Sequence, residues 1–239
     1  MDLSKNKIAV VTGASKGLGA AIAITLAMKG VHVYGIGRNK DSLKEVAIQA
    51  GNNFEPITLD INDETAIHDW YNNTFTNVNT PDILINNAGI GFFSKVDETP
   101  TSKWLEMINT NLNGVFYVSS TLIPDMKKKK ASCHIINIGS ILGKVGQTES
   151  TGYCATKFGI QGFSEALFME LRGFNIKVTC INPGSIETDF FKTSGQHSHH
   201  NMLQPFDIAK TIIHLLETPD NMLINEMTIR PLNPKPPNS

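Results

Sequence analysis

The 239-residue sequence is short of cysteine, short of net charge and without any long apolar run, and each shortage excludes something. Its three cysteines, Cys133, Cys154 and Cys180, are odd in number and far apart, which excludes a disulfide-stapled scaffold and suits a reducing compartment. Lysine plus arginine (21) against aspartate plus glutamate (22) leaves a formal charge of -1. That balance gives no general reason to expect nucleic acid or an anionic membrane as partner. No apolar stretch reaches roughly 18 residues, so a membrane-spanning helix is not expected. The opening segment Met1–Lys7 lacks the apolar core of a secretory signal. What is present, 41% hydrophobic and 18% charged residues, is the make-up of a folded chain. One domain over 1–239, in the cytoplasm, is the expectation.

Short β-branched runs alternate with longer amphipathic stretches. Strands are expected at Ile8–Thr12, Val31–Ile36, Phe54–Leu59, Ile83–Asn86, His134–Ile138, Lys177–Asn182 and Ile224–Ile229. Helices are expected at Gly17–Met28, Lys40–Ala50, Asp63–Phe75, Thr101–Lys128, Gly152–Arg172 and Pro205–Glu217. Near-continuous apolar strands separated by helices imply a parallel sheet covered on both faces. The expected fold class is α/β, a Rossmann-type doubly wound fold with a seven-stranded parallel sheet. Two segments stand outside this pattern: a polar stretch at Lys192–Met202, and a tail Pro231–Ser239 whose four prolines cannot continue a helix or central strand.

The first strand runs directly into Thr12-Gly13-Ala14-Ser15-Lys16-Gly17-Leu18-Gly19. Glycines at such a strand-to-helix turn let the backbone approach a pyrophosphate, which the helix N-terminus then attracts. A bare glycine trio is also just a tight turn, so its place at the head of a βα series is what favours a dinucleotide.

The spacing G-x-x-x-G-x-G resembles the short-chain dehydrogenase/reductase family, and the resemblance continues in order along residues 7 to 230. Asn86-Asn87-Ala88-Gly89 is similar to the family's N-N-A-G, and Asn111 to the helix asparagine of its catalytic tetrad. Ser140 ends the fifth strand, Tyr153-Cys154-Ala155-Thr156-Lys157 reproduces Y-x-x-x-K, and Pro183-Gly184-Ser185-Ile186-Glu187-Thr188 matches the segment after the sixth strand. The resemblance implies an oxidoreductase that interconverts a carbonyl and an alcohol by hydride transfer. It implies catalytic roles for Asn111, Ser140, Tyr153 and Lys157. It also implies cofactor contacts from Gly13, Ser15, Lys16, Gly17, Leu18, Gly19, Arg38, Asp60, Ile61, Asn87, Ala88, Gly89, Tyr153, Lys157, Pro183, Gly184, Ile186 and Thr188.

Tyr153 and Lys157 are four apart in an expected helix and therefore share a face. A phenol near ~10 is a poor acid or base at neutral pH. A neighbouring ammonium and an oxidised nicotinamide are expected to lower that value, making Tyr153 the proton donor to a carbonyl or acceptor from an alcohol. Ser140, on a strand able to neighbour the first βα turn, is expected to hydrogen-bond the substrate oxygen. By resemblance Lys157 also holds the nicotinamide ribose, Asn111 positions a water that links Lys157 to solvent, and Asp60 contacts the adenine amine. Asp60 reads equally well as a turn residue.

Cofactor choice is read at the end of the second strand, where an acid suits NAD and a basic residue suits a 2′-phosphate. The sequence Tyr34-Gly35-Ile36-Gly37-Arg38-Asn39 carries no acid but an arginine, with Lys16 as a second charge, so NADP(H) is expected over NAD(H). A short lid over about 188–203 is expected, which suggests a compact substrate or a half-open cleft. Phe92, Phe93, Phe190 and Phe191 read as an apolar substrate wall or as packing. His197, His199 and His200 lack ligand spacing with an acid or cysteine, so no metal is expected. The end Ile224–Pro231 resembles the family branch acting on 3-hydroxy acids and other small carbonyl compounds. A 3-oxoacyl-[acyl-carrier-protein] reductase and, in another class, a non-catalytic NADP(H)-binding redox sensor remain open. By family analogy, the Thr101–Lys128 and Gly152–Arg172 helices are expected to form a homodimer or homotetramer.

Overall fold

The computed structural model describes residues 1–3, 6–76, 79–190 and 199–236. Seven parallel strands form one sheet in the order β3-β2-β1-β4-β5-β6-β7. They are β1 (Ile8–Thr12), β2 (His32–Gly37), β3 (Phe54–Thr58), β4 (Ile83–Asn86), β5 (Cys133–Ile138), β6 (Ile176–Pro183) and β7 (Glu226–Ile229). Chain order reverses between β1 and β4, which leaves a crevice beyond their carboxyl ends.

Successive strand residues point to opposite faces, so each central strand feeds two cores. Ala9 and Val11 of β1 join one cluster, covered by α1 (Gly17–Met28), α2 (Lys40–Ala50) and α7 (Pro205–Leu216). Val10 joins the other, beneath α3 (Glu64–Thr74), α5 (Gly114–Met126) and α6 (Thr151–Leu171). The inner strands β2, β1, β4, β5 and β6 are buried on both faces, as their apolar runs required, while the edge strands β3 and β7 are partly exposed. α2 and α3 start on side-chain caps, Asn39 accepting from Ser42 N and Asp63 from Ala66 N.

One expected element divides. The stretch expected as a single Thr101–Lys128 helix is α4 (Thr101–Ile108), a π-turn at Asn109–Asn113, and α5. The wide turn swings Thr110 and Asn111 into the protein. There Asn111 gives Nδ2 to Ile90 O at 2.9 Å and accepts from Ile90 N at 2.9 Å. Two backbone groups of a loop gain partners from this one side chain, which repays the break in the helical ladder.

Candidate active site

Beyond the carboxyl ends of β1 and β4 lies a cleft of about 540 Å³. Its floor is the turn between β1 and α1. Gly13 and Gly17 sit at φ +66° and +57°, where a side chain is strained. Gly19 is constrained differently: a Cβ there would stand 2.2 Å from Gly13 O. Neighbouring side chains hold the turn in shape. Thr12 Oγ1 accepts from Asn87 N and Ala88 N, both at 3.0 Å, and Asn87 Nδ2 donates to Thr12 O at 2.9 Å. α1 begins with no side-chain cap and no acid in its first turn, so its N–H groups are left for an anion. A pyrophosphate fits this end on chemistry as well as shape.

Every residue expected to touch cofactor lines the cleft, from Gly13 to Thr188, and so do Ser140, Tyr153 and Lys157; Asn111 sits just behind it, bonded to the backbone of the lining residue Ile90. Ser140 reaches the cleft from β5, which is separated from β1 by β4 rather than adjacent to it. Arg38 follows β2, and its guanidinium lies 3.8 Å from the Asp60 carboxylate, both half in solvent. Asp60 also accepts from Asn62 N at 3.0 Å, so the turn reading of this residue is realised in the structure. Thr188 abuts Gly17, and the base of the expected lid is clasped where Leu203 N donates to Ser185 O and Glu187 N to Leu203 O, each at 2.9 Å. Phe191 and His197 lie outside the described residues. Among those described, no three His, Cys, Asp or Glu side chains are grouped to hold a metal ion.

The titration expected of Tyr153 is corrected. Burial pushes its phenol up to about 12, against a smaller opposing pull from the Ser140 hydroxyl. Lys157 stands 5.6 Å from the phenol ring centre and is itself enclosed. Its Nζ donates to Ile138 O at 2.9 Å, and burial depresses it to about 8 while the nearby Cys180 thiol raises it. One enclosure penalises both charges, so the protein alone keeps the phenol protonated at neutral pH. Asn111 Nδ2 also donates to Thr156 Oγ1 at 3.0 Å, which ties the π-turn to the Tyr153–Lys157 helix.

A second tier of residues carries no motif. Asn182 Oδ1 accepts from Ser140 N at 3.2 Å, and its Nδ2 donates to Gln161 Oε1 at 2.8 Å. Gln161 Nε2 donates to Glu226 Oε2 at 2.8 Å, and Glu226 pairs with Lys144. A side-chain chain thus runs from β7 to the backbone of Ser140. The only sequence signal for it is polarity, Asn182 near the end of a strand that is buried along its whole length.

The chain is similar to known proteins over nearly its whole length. A family model described as short chain dehydrogenase matches residues 7–199. A protein of Staphylococcus aureus (strain MRSA252), described as an uncharacterized oxidoreductase, is 35% identical over 233 residues, 97% of this chain and 100% of its own. One of Staphylococcus saprophyticus, described likewise, is 34% identical over 232 residues, 95% of this chain and 98% of its own. The closed form of a serine dehydrogenase complexed with NADP+ superposes with a TM-score of 0.85 at 28% identity, covering 93% of this chain and 94% of that one. A 3-ketoacyl-(acyl-carrier-protein) reductase from Brucella melitensis, complexed with NADH, gives 0.87 at 25% identity, covering 96% and 98%. With the doubly wound sheet, the glycine turn and these likenesses together, the chain belongs to the short-chain dehydrogenase family and is an oxidoreductase.

Proposed function

We propose that this protein reduces a carbonyl to an alcohol with NADPH, Tyr153 giving the proton. The observation that carries the reading is the meeting of Ser140, Tyr153 and Lys157 with the glycine turn in one cleft. When bound, the reduced nicotinamide supplies the hydride and, once oxidised, a positive charge. The chain's own residues do the rest. Ser140 Oγ and Tyr153 Oη orient the carbonyl oxygen and polarise it. As negative charge develops there, Tyr153 Oη transfers its proton to that oxygen. Burial assists this direction, because a phenol held near 12 is fully protonated at neutral pH. Lys157 Nζ favours the phenolate that results, and Asn111 holds the segment at Ile90 beside it.

Arg38 supports NADP(H), since its guanidinium stands at the end of β2, where the segment Tyr34–Asn39 carries no acid for a ribose hydroxyl and the Asp60 carboxylate lies 3.8 Å from the arginine itself. The likeness to an NADP+-bound serine dehydrogenase agrees, while the NADH-bound reductase shows that the fold admits either. A homodimer or homotetramer through α4, α5 and α6 is part of this reading, with Leu105, Phe116, Phe158 and Met169 exposed on those helices.

Reduced-nicotinamide absorbance with a panel of ketones tests the proposal. Tyr153→Phe is expected to lower turnover by about 100-fold or more while NADPH still binds. Arg38→Asp is expected to weaken NADPH binding far more than NADH binding. Turnover unchanged in Tyr153→Phe overturns the mechanism, and an unchanged preference in Arg38→Asp overturns the cofactor assignment.

A further inference from the structure

The cleft has two chemically different ends. Its described basic side chains, other than Lys157, are Lys16 and Arg38, both on the β1 and β2 turns. Lys157 is engaged with Ile138 O. Around Tyr153 the walls are aromatic instead. The Phe93 ring centre lies 5.4 Å from that of Tyr153, and the Phe190 centre 5.8 Å from it. Phe93 and Phe190 meet edge-on at 6.4 Å. Gly91 permits this, since a Cβ there would stand 2.7 Å from Phe190 and 2.9 Å from Phe93. Behind them Ile90, Ile141, Leu142 and Met107 complete an apolar cluster with Tyr153. Among the described residues, the other polar side chains lining the cleft include Ser140, Gln147, Ser185, Thr188 and Asp189, none of them a cation.

We propose that the substrate is an uncharged ketone with a flat apolar group, its ring packed against the edge-on Phe93–Phe190 pair while its carbonyl faces Ser140 and Tyr153. The inference rests on the Tyr153 chemistry and narrows it away from the 3-hydroxy acids that the C-terminal sequence suggested. A carboxylate entering here leaves water, and the described cation beside Tyr153, the Lys157 ammonium, is enclosed and already engaged with Ile138 O, a cost that an aromatic ring does not meet. Offset or edge-on packing on two phenylalanines adds an attraction that an open-chain alkyl ketone lacks.

The test compares acetophenone, 2-butanone, acetoacetate and ethyl acetoacetate as substrates of the NADPH-loaded protein. Acetophenone is expected to exceed 2-butanone in kcat/KM by about tenfold or more, and the ester to exceed its free acid by about 100-fold. Phe190→Ala is expected to raise the KM for acetophenone about tenfold more than it raises that for 2-butanone. Phe190→Leu, which keeps apolar bulk, separates loss of the ring from loss of packing. Should no ketone turn over, the Tyr153 reading fails, and the pocket is then read by calorimetry of 1-phenylethanol and 3-hydroxybutyrate on the NADP+-loaded protein. Binding of the aromatic alcohol that Phe190→Ala abolishes supports the proposal. Acetoacetate equal to its ester, an acetophenone KM indifferent to Phe190→Ala, or tighter binding of 3-hydroxybutyrate overturns it.

Discussion

Replacing Lys157 by methionine should make the protein inactive and more stable at once. Lys157 is 5% exposed and its ammonium is depressed to about 8, against about 10.4 in an unfolded chain. At neutral pH the lysine is charged in both states, so the fold bears the cost of burying the charge. At about 1.4 kcal/mol per pH unit, that cost is roughly 3 kcal/mol. Methionine retains most of the stem's volume and removes the charge. It also leaves Ile138 O without the Nζ donor now 2.9 Å away, a loss of about 1 kcal/mol. The net gain is about 2 kcal/mol, or a rise in Tm of about 4–8 °C for a chain of this size. Its pH dependence identifies the cause. Because the folded value lies below the unfolded one, the unfolded wild type binds more protons between about pH 8 and 10.4, and wild-type stability climbs through that window. The advantage of the variant is therefore constant below pH 8 and gone above about pH 10. Thermal melts of both proteins from pH 6 to 10.5, paired with turnover assays, measure this. A variant no more stable at pH 7, or equally advantaged at every pH, refutes the reasoning.

Asn182→Ala removes the acceptor for Ser140 N and is expected to lower kcat about tenfold or more with NADPH affinity unchanged, which titration of cofactor fluorescence and steady-state kinetics resolve. Gly19→Ala drives a Cβ onto Gly13 O and is expected to reduce cofactor affinity by about 100-fold or to prevent folding. In contrast, Gly162→Ala in α6 meets nothing within 4 Å and is expected to stabilise the fold by about 1 kcal/mol in denaturant titrations. All three cysteines are buried, and burial pushes the Cys133 thiol up to about 11 and the Cys180 thiol upward. No thiol is expected to react with a disulfide reagent in the native protein, and three are expected after unfolding.

The sheet was legible because a strand buried on both faces writes itself as an uninterrupted apolar run. Ile83–Asn86 and the helices Gly17–Met28 and Lys40–Ala50 fall where the sequence places them. The π-turn was not legible, because Asn109–Asn113 has no proline or helix-breaking pair and its cause lies elsewhere, in the two backbone groups of Ile90. Similarly, the cleft residues announced themselves by motif, whereas Asn182 and Gln161 are defined only by partners 42 and 21 residues away along the chain.

The titration of Tyr153 shows why a motif does not contain its own electrostatics. The i, i+4 spacing places an ammonium beside a phenol, and from spacing alone attraction is the only force in view. Folding adds the enclosure, which costs both groups their hydration and leaves the phenol raised even with an ammonium 5.6 Å from its ring. The same closing of the cleft that raises Tyr153 also lowers Lys157, so neither side chain is charged cheaply in the protein alone. A positive nicotinamide beside them would shift the balance for the phenol in particular. On the proposed reading the chain would thus keep Tyr153 protonated until that charge is present, which would tie its proton release to the chemical step.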